Sequence, residues 1–63
     1  MSSSKTIKEK FEELKMINDI TIEELSSRLK KAKDDDRRRE IVEQIVYYER
    51  IRRSTLEKMR EFQ

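Results

Sequence analysis

The apolar residues of this 63-residue chain are laid out as a mirror image about its middle. Phe11 and Met59, Leu14 and Leu56, Ile22 and Tyr48, Leu25 and Ile45, and Leu29 and Ile41 carry residue numbers that sum to 70. Ile7 with Phe62 misses that sum by one. Two antiparallel helices require such a constant, because each step up one arm is a step down the other. The midpoint falls in Asp34-Asp35-Asp36. The pattern predicts an all-α fold: an antiparallel helical hairpin with arms over about residues 5–33 and 36–62 and a turn near 34–36.

Composition agrees with a chain made almost wholly of helix. There is no Gly, Pro, Cys, His or Trp, and 48% of the residues are charged. Tight β-turns thereby lose their usual residues, while helices lose nothing. The lack of cysteine excludes disulfide staples and thiolate metal sites. No apolar run is long enough to cross a bilayer, and no signal-peptide core follows Met1, so a cytoplasmic location is expected. A net charge of +2 is too small to imply a polyanionic partner by itself. Residues 1–4 read as a disordered N-terminal tail, with Ser3 or Ser4 suited to cap a helix, and residues 5–63 as a single helical-hairpin domain.

On the first arm the stripe runs Ile7, Phe11, Leu14, Asn18, Ile22, Leu25, Leu29 and Ala32, in the steps of three and four that make one helix face. Around Asn18 to Thr21 helix propensity dips, and Thr21 with Glu24 forms a capping box that would normally open a new helix. A break there would make three helices. The stripe keeps its phase through the dip, which favours one continuous arm. The second stripe is Ile41, Ile45, Tyr48, Arg52, Thr55 with Leu56, Met59 and Phe62. Asn18 and Arg52 also sum to 70, so a polar layer interrupts the seam on both arms at once; it is either partly wet or a device that fixes register.

Two helices touch along one line, and a lone hairpin leaves both stripes half wet. A second copy closing over the first makes a four-helix bundle. The expected core and dimer interface is Phe11, Leu14, Asn18, Ile22, Leu25, Leu29, Ile41, Ile45, Tyr48, Arg52, Leu56 and Met59. A secondary apolar patch at mid-height, formed by Met16, Ile17, Ile20, Val46, Tyr47 and Ile51, also argues for self-association.

Chemistry-bearing constellations are sparse. Asp34-Asp35-Asp36 with Glu40 supplies hard oxygen ligands, but no glycine bends a loop around an ion, and the run reads better as a turn and helix cap. Adjacent carboxylates such as Glu12-Glu13 point in different directions on a helix and do not converge. Without a histidine, cysteine or glycine-rich phosphate loop, no catalytic residue, metal, cofactor or small-molecule substrate is expected. Arg39, Arg50, Arg53 and Arg60 share an outward face of the second arm and could track a phosphate backbone. Their simpler reading is a solvated face of ion pairs, Arg39 with Glu43 and Arg53 with Glu57.

With its acidic turn, the Glu40-Ile41-Val42-Glu43-Gln44-Ile45 opening of the second arm and its hairpin length, the chain resembles the Rop family of plasmid copy-number regulators. The resemblance is one of architecture. It implies a homodimeric four-helix bundle, and, since those proteins bind pairs of RNA stem-loops, a possible RNA partner. The functional expectation is a non-enzymatic homodimer that binds itself and another protein as an interaction or adaptor module, with no membrane role. The alternative is an RNA- or DNA-binding regulator that uses the arginine face.

Overall fold

The computed structural model describes residues 6–61. These residues form two α-helices, α1 (Ile7–Lys31) and α2 (Asp35–Arg60). The helical hairpin is therefore present, with arms slightly shorter than the 5–33 and 36–62 expected from sequence. Ser3, Ser4, Lys5 and Phe62 lie outside the described residues.

The start of α1 is capped by Thr6, not by either serine. Thr6 is extended (φ −68°, ψ 163°), its Oγ1 accepts from the Glu9 N–H at 3.1 Å, and Glu9 Oε1 accepts from the Thr6 N–H at 3.0 Å. This reciprocal capping box satisfies two of the donors that a helix start leaves open, and a cap of this kind contributes about 1 kcal/mol. The same Thr-x-x-Glu spacing recurs at Thr21 and Glu24, yet α1 passes through it without a break. There the Thr21 hydroxyl donates to the Ile17 carbonyl at 2.8 Å, a bond made inside a helix. Seam packing above and below Thr21 outweighs the local signal.

The chain reverses at residues 32–34, slightly earlier than the 34–36 expected. Ala32 (φ −73°, ψ 133°) and Asp34 (φ −83°, ψ 132°) are both extended, and no described residue has positive φ. A turn built from extended residues needs no left-handed position, which explains how the chain manages without glycine. Asp34 caps α2, its Oδ2 accepting from the Arg37 N–H at 3.1 Å, while Asp35 and Asp36 lie in the first turn beside the positive helix end. Arg38 closes the reversal by donating from Nη1 to the carbonyls of Leu29 (3.2 Å) and Ala32 (2.9 Å). One side chain of α2 thus satisfies carbonyls that the end of α1 leaves open.

The molecule is flat. Its extents are 48 × 27 × 12 Å, and the smallest is that of one helix layer. Only Leu25 (6% exposed) and Ile41 (2%) are buried apolar residues among those described, joined by the polar Asn18 and Thr55 (3% each).

Candidate functional site

The seam between the helices follows a seven-residue repeat. On α1 the buried and half-buried positions include Phe11, Asn18 and Leu25, continued by Ala32 just past its end, interleaved with Lys15, Ile22 and Leu29. On α2 Ile41, Tyr48 and Thr55 alternate with Ile45, Arg52 and Met59, of which only Arg52 is exposed. This is the pattern of a two-helix coiled coil. The cross-helix contacts of Arg38 with Ala32 and of Arg52 with Asp19 sum to 70 and 71, in keeping with a register near the constant sum of 70.

One layer differs from the apolar reading. Leu14, expected in the core, is 39% exposed, no better covered than the Lys15 side chain at 38%, while Leu56 is half-buried and the neighbouring Thr55 is buried. The half of the seam near the turn is apolar, whereas the half toward the chain ends carries two successive polar layers. In the first, Lys15 lays its stem along the seam and sends its ammonium to Asp19 Oδ2 at 2.9 Å. In the second, Arg52 reaches Asp19 Oδ1 at 3.4 Å. Asp19 therefore collects a cation from each polar layer. Its exposure of 39% keeps these pairs weak, worth less than about 1 kcal/mol each. Thr55 meets its own need by donating to the Ile51 carbonyl at 2.8 Å. Asn18 does not: its buried Nδ2 has no hydrogen-bond partner.

The flanks of the seam give the hairpin two unlike faces. A groove of about 510 Å³ on one side is lined by Phe11, Leu14, Tyr47, Ile51, Thr55 and Lys58, among others. A smaller one of about 230 Å³ is lined by Glu49, Arg52, Arg53 and Leu56. Since Arg52 reaches Asp19, the second groove belongs to the side on which Asp19 emerges. The two are called below the Leu14 face and the Asp19 face. Helical periodicity places Ile17 and Thr21 toward the first, and Met16, Val42 and Val46 toward the second. The mid-height patch of Met16, Ile17, Ile20, Val46, Tyr47 and Ile51 is thus divided between faces. All its members are exposed except Ile51, which is half-buried. The Tyr47 and Tyr48 rings meet edge to face at 5.2 Å and 80°.

The outer arginines stand apart from this network. Arg39, Arg50, Arg53 and Arg60 are exposed, and none has an ion pair among the described residues. The Arg39–Glu43 and Arg53–Glu57 pairs expected from spacing are not formed; the α2 pair that does form is Arg37 with Glu40, at 3.4 Å. Among the described residues no three carboxylates converge as a metal site, and no helix is long and apolar enough to cross a membrane.

Sequence reasoning overlooked Lys15, Asp19 and Thr55 as a polar box, and Arg38 as the clamp on the turn. The strict seven-residue spacing of 11, 18 and 25 and of 15, 22 and 29 carried the signal for the first. The clamp had none, because it depends on the turn geometry. Comparison of the chain with protein-family models, curated proteins and solved structures finds no match.

Proposed function

We propose that this chain is a non-enzymatic, homodimeric helical-bundle protein that acts as an interaction or adaptor module. The observation that carries this reading is how much apolar surface the hairpin leaves open. Ile7, Leu14, Met16, Ile17, Ile20, Val42, Val46 and Tyr47 are exposed by 39% to 62% on a molecule one helix thick. Single exposed apolar residues are ordinary, but this many on both faces of so thin a molecule argue for interaction surfaces. Closing one side against a second copy forms a four-helix bundle and leaves the other side for a different protein.

A second reading rests on one specific observation: among the described residues Arg39, Arg50, Arg53 and Arg60 have no carboxylate partners. Unpaired guanidinium groups along a helix are available to phosphate oxygens, as an RNA- or DNA-binding regulator resembling the Rop family requires. One experiment separates the two readings. The tagged chain is used to capture ligands from extract of its own host, with and without nuclease, and the bound material is identified. The adaptor reading expects a protein retained stoichiometrically after nuclease treatment. Nucleic acid alone, bound directly in a gel shift with affinity falling steeply as salt rises, favours the arginine face and overturns the adaptor reading.

A further inference from the structure

We infer that a second copy of this chain seats on the Leu14 face of the hairpin and not on the Asp19 face. This rests on the homodimer reading above and adds which surface closes the bundle. The first argument is where the charges go. At mid-height the Asp19 face carries Asp19, Glu23, Glu49 and Arg53, and the cations of both polar seam layers are drawn onto it by Asp19. Over the same levels the Leu14 face presents Leu14, Ile17, Thr21, Tyr47, Ile51 and Ser54, with Arg50 on the rim of its groove and Glu24 at its edge. Both ion pairs that Asp19 makes therefore lie away from the Leu14 face. Burying that face at mid-height desolvates fewer charges, Arg50 at its rim being able to turn outward, whereas burying the other would strip water from four charged groups.

The second argument is self-complementarity. A two-fold interface pairs a patch with itself, so any charge near its centre meets its own kind. The centre of the Leu14 face, at Leu14, Tyr47 and Ile51, is uncharged, and its margins carry both signs, Lys10, Arg28, Arg50 and Lys58 with Glu24 and Glu40. The groove beside protruding Leu14 and Tyr47 gives the same patch both a knob and a hollow. The third argument is area. A face as long as the 25-residue α1 is roughly 38 Å by roughly 20 Å for two adjacent helices, or about 760 Å². Stable interfaces bury about 800 Å² per partner.

The test uses the absence of cysteine from the chain. Ile51 and Glu49 are two residues apart on α2, at nearly the same height but on opposite flanks of the seam. Ile51 lies near the midline at mid-height of the Leu14 face, where a two-fold axis brings both copies together whichever way the turns point. Under mild oxidation, Ile51→Cys should give a disulfide-linked species of about twice the 7.8 kDa chain mass, and Glu49→Cys should not. As a second pair, Leu14→Glu should weaken self-association by at least about tenfold with helical content retained at high concentration, and Val46→Glu should leave it nearly unchanged. Linkage through Glu49→Cys, or loss of the dimer in Val46→Glu alone, overturns the choice of face while the homodimer stands. A parent chain that stays monomeric in light scattering removes the homodimer itself, and with it this inference.

Discussion

Asn18 is the residue whose environment departs most from what its side chain requires. It is 3% exposed, and its Nδ2 donates to nothing. A buried donor without an acceptor costs roughly 1–3 kcal/mol, so Asn18→Leu should stabilise the hairpin. At about 4–8 °C per kcal/mol for a domain of this size, the rise in melting temperature is easily measured by circular dichroism. A fall in Tm would mean that the amide has a partner worth more than the leucine it displaces. The neighbouring layers show why such residues are hard to read in advance. Lys15 looks like surface and Leu14 like core, yet the two are about equally covered, at 38% and 39% exposure, because the lysine stem is apolar and Asp19 waits one turn away for its ammonium. Residue type alone ranks Leu14 first.

Between the two helices, the reversal is held by capping and one arginine in place of glycine. Removing the cap with Asp34→Ala should cost about 1 kcal/mol. Arg38→Ala should speed amide exchange in the last turn of α1 and the first turn of α2, while amides around Ile22 and Tyr48 keep their protection. Uniformly faster exchange along both helices would show that the clamp supports the whole hairpin and not its turn alone. At this scale the sequence was most legible. The constant sum gave both helices, their antiparallel pairing and the place of the reversal within two residues, since apolar periodicity over many residues averages out local exceptions. The helix ends were less legible. Thr6-x-x-Glu9 and Thr21-x-x-Glu24 are equivalent as local signals, and only packing along the seam distinguishes the one that starts a helix.

For the whole molecule, the arithmetic of burial decides what the hairpin must do. Two buried apolar residues among those described, with eight large apolar side chains left exposed, are a small core for a chain below the size at which a single core stabilises a fold comfortably. The proposed association would supply the missing burial and couple stability to concentration. How Met16, Ile17, Val46, Tyr47 and Ile51 divide between the two faces was not legible from sequence, because it depends on the phase of the seam. Sedimentation equilibrium of the parent chain across micromolar concentrations, paired with thermal melts at the same concentrations, tests the central claim most directly. The account predicts a mass of about twice 7.8 kDa and a melting temperature that climbs with concentration. A fully helical monomer of constant mass and constant Tm would contradict it.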